Sequence, residues 1–312
     1  MQRWQVWPGC DLFFLPSSNV LLCERLTIYK DYSGLRHKKT GISEEFSCRY
    51  LKVVKGGFGV SYAGIFDLEG KTALVTGARK GIGFAMASIL AEYGANIIAV
   101  SSQQSEDDEL ASIVKGHGRG FQSMAVDLRN RAETTDFVKE IKDQQIDILI
   151  NNAGIANRAI ALEHTDELWD EVIELDLTAP FILSREIGQQ MAARGSGKII
   201  FTASMWTFLG GKNVISYTAA KSALGGLVRG LSNELAGDGI CVNAIAPGFI
   251  ETDINLRVRA DKERFEFLSA RIPAKRWGKP ADLAGATLFL SSAASDYVSG
   301  IILPVDGGYL AN

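Results

Sequence analysis

Tyr217 and Lys221 stand four residues apart in the segment Ser-Tyr-Thr-Ala-Ala-Lys. On a helix that spacing puts both side chains on one face. Ser204 follows the apolar run Ile199-Ile200-Phe201, which reads as a buried parallel strand ending at the serine. The pattern therefore sets a hydroxyl at a strand tip opposite a phenol and an ammonium. A free tyrosine has a pKa of about 10 and is a poor base near neutrality. A nearby cation stabilises the phenolate and lowers that pKa, making Tyr217 a usable proton donor and acceptor. Ser204 can hold a substrate oxygen while the proton moves. Tyr-x-x-x-Lys is common on helices, so its weight depends on the elements around it.

Those elements alternate regularly from Phe66 onward. Thr72-Ala73-Leu74-Val75-Thr76 reads as a short strand, and the turn Gly77-Ala78-Arg79-Lys80-Gly81-Ile82-Gly83 follows. A helix is expected from about Phe84 to Tyr93. Strand, glycine-rich turn and helix in that order suit a pyrophosphate held on the free N–H groups of a helix N-terminus. The glycines give Gly-x-x-x-Gly-x-Gly, with Thr76 just ahead. A second strand, Asn96 to Val100, ends at Ser101-Ser102. A carboxylate in that place would bind a ribose 2′-hydroxyl and repel a 2′-phosphate. Ser101 stands there as a candidate cofactor contact without the repulsive carboxylate, and Arg79 and Lys80 lie within reach of a 2′-phosphate, so the choice between NAD and NADP stays open. A third strand, Phe121 to Val126, puts Asp127 at its tip, where it can meet an adenine edge. A polar helix over Arg131 to Lys142 leads to a fourth strand, Ile146 to Ile150, and then to Asn151-Asn152-Ala153-Gly154. Small and amide residues at that strand end suit the lining of a cofactor crevice.

Composition narrows the class of protein. The formal net charge is −3, with four cysteines and three histidines. This near-neutral balance gives no electrostatic case for nucleic acid or an anionic membrane, and no apolar run is long enough to span a bilayer. Cys10, Cys23, Cys48 and Cys241 show no Cys-x-x-Cys spacing, which fits a reducing, cytoplasmic compartment. His37, His117 and His164 are scattered and suggest no metal site.

Five motifs now stand in order: Thr76-Gly77-x3-Gly81-x-Gly83, Asn151-Asn152-Ala153-Gly154, Ser204, Tyr217-x3-Lys221 and Pro247-Gly248-x3-Thr252. From about residue 66 to the end, the chain resembles the short-chain dehydrogenase/reductase family. The resemblance implies a single α/β domain, a Rossmann-type doubly wound fold with a seven-stranded parallel sheet. It further implies hydride transfer with NAD or NADP, Tyr217 as acid/base, and Ser204 orienting the carbonyl. Lys221 would hold the nicotinamide ribose, while Pro247, Gly248, Ile250 and Thr252 contact the carboxamide. A homotetramer is expected on the same ground. One position departs from the family pattern. In Glu174-Leu175-Asp176-Leu177-Thr178 the family's asparagine, which holds a water of the proton relay, is replaced by Asp176. The relay is expected to survive with an altered pH dependence.

The stretches Arg271-Ile-Pro-Ala-Lys-Arg-Trp277-Gly and Ala294-Ser-Asp-Tyr-Val-Ser-Gly300 are similar to sugar-acid members of the family. They imply a small substrate of the 2-deoxy-gluconate or 2-keto-3-deoxygluconate type. Arg158, four residues beyond Gly154, would border the cleft and clamp a carboxylate. A second reading is a 3-oxoacyl-carrier-protein reductase, with Arg257, Arg259, Lys262 and Arg264 as its basic patch. A third, of another class, is a non-catalytic dinucleotide sensor or scaffold, favoured only by Asp176.

Residues 1–65 differ from the rest, with clustered basic residues and no amphipathic period. They read as an extension outside the fold, such as an over-long reading frame produces, or alternatively as a targeting or tethering arm. A chain beginning near Ser61 is expected to fold, bind cofactor and turn over as the full chain does. Insoluble protein or a large drop in melting temperature would show instead that the arm packs on the domain.

Overall fold

The apolar runs at 73–75, 97–100, 148–150 and 199–201 become strands, and because they lack polar alternation these strands are covered on both faces. The computed structural model describes residues 64–103 and 109–312, Tyr62, and four short strands before them. Those are the antiparallel pairs Leu12–Leu15 with Val20–Cys23 and Leu51–Val54 with Gly57–Val60. They belong to one compact unit, Met1–Ile65, and the remaining chain to another, Phe66–Asn312. The expectations for the rest of residues 1–65 lie outside the described residues.

The second unit contains β1 (Thr72–Thr76), β2 (Asn96–Ser101), β3 (Phe121–Ala125), β4 (Ile148–Asn151), β5 (Gly197–Thr202), β6 (Ile240–Pro247) and β7 (Ile302–Val305). All seven pair in parallel, in the order 3-2-1-4-5-6-7. Chain direction across the sheet reverses between β1 and β4, where Val75 pairs with Ile150. Residues alternate between the two faces. Leu74, Val100, Leu149 and Phe201 pack under the helices α3 (Arg131–Glu140), α5 (Ala179–Arg194) and α6 (Ile215–Leu235). Val75, Ala99, Ile150 and Ile200 face α1 (Gly81–Glu92), α2 (Glu109–Gly116) and α9 (Ala284–Ser291). The expected doubly wound Rossmann architecture is present.

Element ends shift by a few residues from the sequence expectation. Helix α1 starts at Gly81 rather than Phe84, because the glycine turn itself supplies the first turn. Helix α3 begins where Asn130 caps it by accepting the N–H groups of Ala132 and Glu133. Helix α4 (Asp166–Ile173) is capped by the Thr165 hydroxyl and carries two carboxylates in its first turn. It runs into α5 through a π-helical turn, Glu174–Thr178, that periodicity did not announce. Such a turn inserts an extra residue and re-aims the side chains it carries, here Asp176.

Beyond β6 the chain forms α7 (Leu256–Ala260) and α8 (Lys262–Ala270). A small aromatic cluster underlies them. Phe249 lies 5.0 Å from Trp277 and 5.4 Å from Tyr309, and Phe265 stacks on Trp277 at 5.1 Å. The loop that carries Trp277 is pinned by Arg276, which donates two hydrogen bonds to Asp282 (2.7 and 2.9 Å), and by the Lys279 N–H on the same carboxylate. The Arg276 bonds are the main cause holding Asp282 down to about 2, from an ordinary 3.8. A depressed carboxylate contributes stability that is present above its unfolded pKa and lost as the pH falls through its folded one. Because the pair is largely exposed, screening by solvent keeps its contribution small. Asp282→Asn should therefore lower stability slightly at neutral pH. In urea melts, its gap to the wild type should close as the pH falls from about 4 to about 2.

Candidate active site

The reversal between β1 and β4 leaves a crevice beyond the strands' carboxyl ends, and a cleft of about 1620 Å³ occupies it. One hydroxyl joins the two strands there. Thr76 donates to the Ile150 carbonyl (3.3 Å) and accepts the N–H groups of Asn152 (2.9 Å) and Ala153 (3.0 Å). The Asn152 amide then donates to the Thr76 carbonyl (3.0 Å) and accepts from the Thr202 hydroxyl (3.2 Å). Thr76, Gly83 and the buried Asn151, which donates to Ser184, lie behind the cleft wall; the other residues expected to act in catalysis or cofactor binding line it. Gly77 has φ 67°, a left-handed conformation that favours glycine. A Cβ at Gly83 would strike the Gly77 carbonyl and the Asn152 amide. Lys80, at the start of α1, is extended and gives the helix no side-chain cap, and no acidic residue stands in the first turn. The N–H groups at that end are thus open to an anion, and the cradle fits a dinucleotide pyrophosphate.

At the adenosine end, Ser101 turns its hydroxyl back to the Gln103 carbonyl (2.6 Å), and Arg79 donates to the Gln103 side chain (3.3 Å). Arg79 thus stands at the tip of β2. Lys80 does not: it pairs with Asp253 at 2.6 Å, bridging the glycine turn to the loop after β6. Asp127 is held by Arg129, which donates to both carboxylate oxygens (2.9 and 2.8 Å). Chiefly through that bond, the carboxyl lies below its usual range.

The central group forms where β5, α6 and the π turn meet. Ser204 is buried, caps the short 3₁₀ turn Met205–Thr207, and acts on the Tyr217 phenol to lower its pKa. The Thr207 hydroxyl donates to the Lys221 carbonyl (2.9 Å), fixing that turn to α6. Tyr217 as a whole residue is half-buried, but its phenol group is buried, and the Lys221 ammonium lies 5.4 Å from its ring centre. Lys221 is itself buried; it donates to the Thr202 carbonyl (2.9 Å) and lies 3.1 Å from a carboxylate oxygen of Asp176. The geometry of that last contact is an ion pair rather than a hydrogen bond. The other Asp176 oxygen accepts the Ile155 N–H (2.9 Å).

One expectation is corrected here. Lys221 does act to lower the Tyr217 pKa, but the phenol is shifted upward overall. Burial is the larger effect, the Asp176 carboxylate adds to it, and Lys221, Ser204 and Arg158 offset only part. Asp176 is likewise raised by burial, against Lys221 and the Ile155 N–H. Burial works against the Lys221 charge, yet Asp176 and Tyr217 outweigh it and hold the ammonium above its ordinary value.

The loop Pro247–Thr252 closes the far side. The Gly248 N–H bonds to the Val305 carbonyl (3.1 Å) and the Glu251 N–H to the Gly278 carbonyl (2.8 Å), while Ile250 bridges Gly278. The Thr252 methyl would stand 3.5 Å from a Cβ at Gly81, so the two loops approach closely. Arg158 lines the cleft from the loop after β4, and its charge reaches Tyr217. Sequence reasoning missed Thr202, Arg129, Arg271 and Tyr309. Arg271 lies 4.8 Å over the Tyr309 ring, and both line the cleft. Only the second of these pairs carried a signal, since Arg271 opens the Arg-Ile-Pro-Ala stretch.

The family described as enoyl-(acyl carrier protein) reductase matches residues 77–310. A 2-dehydro-3-deoxy-D-gluconate 5-dehydrogenase from Pseudoalteromonas atlantica is 52% identical over 248 residues, which is 78% of this chain and 98% of the relative. Among solved structures, a candidate NAD(P)-dependent gluconate 5-dehydrogenase from Beutenbergia cavernae, with NADP at low occupancy, has a TM-score of 0.77 and 43% identity. That match covers 80% of this chain and 100% of the other. A gluconate 5-dehydrogenase from Burkholderia cenocepacia, in complex with NADP and tartrate, has a TM-score of 0.76 and 35% identity, covering 80% and 98%. The chain belongs to the short-chain dehydrogenase/reductase family. It is an NAD(P)-dependent oxidoreductase acting on hydroxyl and keto groups.

The arrangement can hold a carbonyl oxygen between the Ser204 hydroxyl and the Tyr217 phenol and pass a proton across the latter. If the phenol moves that proton, Tyr217→Phe should lower turnover by about a hundredfold or more while leaving cofactor affinity nearly unchanged. Steady-state kinetics and a cofactor titration check this; near-normal turnover would sink the assignment.

Proposed function

We propose that the protein interconverts a secondary alcohol and a ketone within a sugar acid of the 2-deoxy-gluconate or 2-keto-3-deoxygluconate type. The observation that carries this reading is Arg158, a guanidinium on the same cleft whose charge reaches Tyr217. One small molecule can then place a carboxylate on Arg158 and a carbonyl on Ser204 and Tyr217. The names of the sugar-acid relatives support it, and so does the tartrate in the Burkholderia structure, itself a hydroxy acid.

In the direction of reduction, Tyr217 gives its proton to the carbonyl oxygen, and Ser204 fixes that oxygen by a hydrogen bond. Lys221 presents a positive charge to the phenolate left behind. When bound, the dinucleotide supplies the hydride that reaches the carbonyl carbon. Residues suited to hold it are the glycine turn and open end of α1 for the pyrophosphate, Asp127 for the adenine, and Lys221 for a ribose. Asn152, Ala153 and Gly154 would line its middle, with Pro247, Gly248, Ile250 and Thr252 at the carboxamide. We favour NADP over NAD, because β2 ends without a carboxylate and Arg79 stands at that tip.

The acyl-carrier reading is less well supported. Arg259 pairs with Glu251 (3.7 Å) and Lys262 with Glu266 (4.0 Å), so much of the supposed basic patch is neutralised locally. The Arg257 side chain lies outside the described residues. The scaffold reading would leave Ser204, Tyr217 and Lys221 together without a use. The proposal extends to a cytoplasmic homotetramer, in line with Trp169 and Phe181, which are half-exposed on α4 and α5. It also takes residues 1–65 to be dispensable for catalysis.

Arg158→Ala is the test. It should cost roughly 2–4 kcal/mol in kcat/KM for a sugar acid and far less for an uncharged analogue, as expected when a charged hydrogen bond to substrate is lost. Equal losses for the two substrates would mean that Arg158 only shapes its loop.

A further inference from the structure

Asp176 is completely buried, on a π turn, in a position where both of its oxygens have defined neighbours. One oxygen accepts the Ile155 N–H; the other faces Lys221 Nζ at 3.1 Å. Gly154 makes room for it, since a Cβ there would come within 2.7 Å of the carboxylate. The neighbouring acids point elsewhere. Glu174 is bound by Arg131, and Glu171 by Arg129 and Asn157. Asp176 is therefore the carboxylate paired with Lys221, and the ammonium is shared between that carboxylate and the phenol.

We propose that Asp176 is a positioning residue: its carboxylate anchors the Lys221 ammonium from behind and sets Tyr217 to keep its proton, so that the enzyme works as a carbonyl reductase over a wider and more alkaline range of pH. This rests on Tyr217 being the proton donor, not on the substrate being a sugar acid.

The groups facing Tyr217 come from four elements. Lys221 on α6, Arg158 beyond β4 and Ser204 at the tip of β5 favour the phenolate, whereas Asp176 on the π turn opposes it. An asparagine at this position would keep the shape of the side chain and remove the opposing charge. A negative charge so placed partly cancels the lysine, and the phenol holds its proton to higher pH. Carbonyl reduction uses the protonated phenol, and alcohol oxidation uses the phenolate. The equilibrium constant fixes the ratio of the two directions at any one pH. The carboxylate therefore acts on where each pH profile breaks.

The test is an ultraviolet difference titration of the phenolate in the full chain. The Tyr217→Phe protein serves as the blank that isolates this residue from the other tyrosines. In the wild type the Tyr217 midpoint should lie above the free value of about 10. In Asp176→Asn it should fall by about one pH unit. The alkaline break in kcat/KM for ketone reduction should move down with it. An unchanged midpoint in the variant would overturn the proposal. So would an upward shift, which would mean that Lys221 itself had lost its charge. Should that variant fail to fold, Asp176→Ser removes the same charge and is read in the same way, so an unchanged midpoint in it would overturn the proposal. The titration contains no substrate, so its failure is distinct from a failure of the sugar-acid reading, which the Arg158→Ala comparison tests.

Discussion

Everything at the site depends on how β1 and β4 are held where their chains part. Helices leave the two strands toward opposite faces of the sheet, so their carboxyl ends diverge and expose backbone groups that no neighbouring strand can satisfy. The Thr76 hydroxyl supplies three hydrogen bonds in that gap, and the Asn152 side chain supplies a second bridge. Gly77 and Gly83 then allow α1 to start directly against this junction. An isosteric valine at position 76 would leave the Asn152 and Ala153 N–H groups without their partner in a confined place, which is the costly kind of hydrogen-bond loss.

A second constraint is the burial of Lys221. An ammonium out of water is tolerated only when its surroundings supply compensating groups. Here those groups come from three separate elements: the Thr202 carbonyl at the end of β5, Asp176 on the π turn, and Tyr217 one turn earlier on α6. The same requirement that keeps the charge in place also fixes the distance between strand tip and helix. Electrostatics and architecture are therefore not separable at this point.

Much of this was legible in the sequence, for a physical reason. Tyr217 and Lys221 share a helix face by spacing alone, and the strands appear as apolar runs bounded by glycine turns. The order of motifs then placed Ser204, Asn152 and Gly248 at strand ends. What could not be read depends on contacts between distant residues. The partner of Lys80, Asp253, lies 173 residues away and follows from loop paths rather than from any local pattern. The π turn is set by packing between α4, α5 and α6. The direction of the Tyr217 shift needed a quantity absent from sequence, the degree of burial. The signs of the neighbouring charges were right, but the balance among them was not.

The bonds that define the cleft also span long stretches of chain. Thr76 and Ile150 are 74 residues apart, and Lys80 and Asp253 are 173 apart. Closing such loops costs entropy before any contact rewards it. Local pieces such as Tyr217 and Lys221 on α6 are near in sequence, but the contacts that join them to Ser204, Asp176 and the cofactor cradle are not. The catalytic group comes into being only with the complete sheet. Partly folded chains have no residual chemistry, and a turnover assay of this protein counts finished domains.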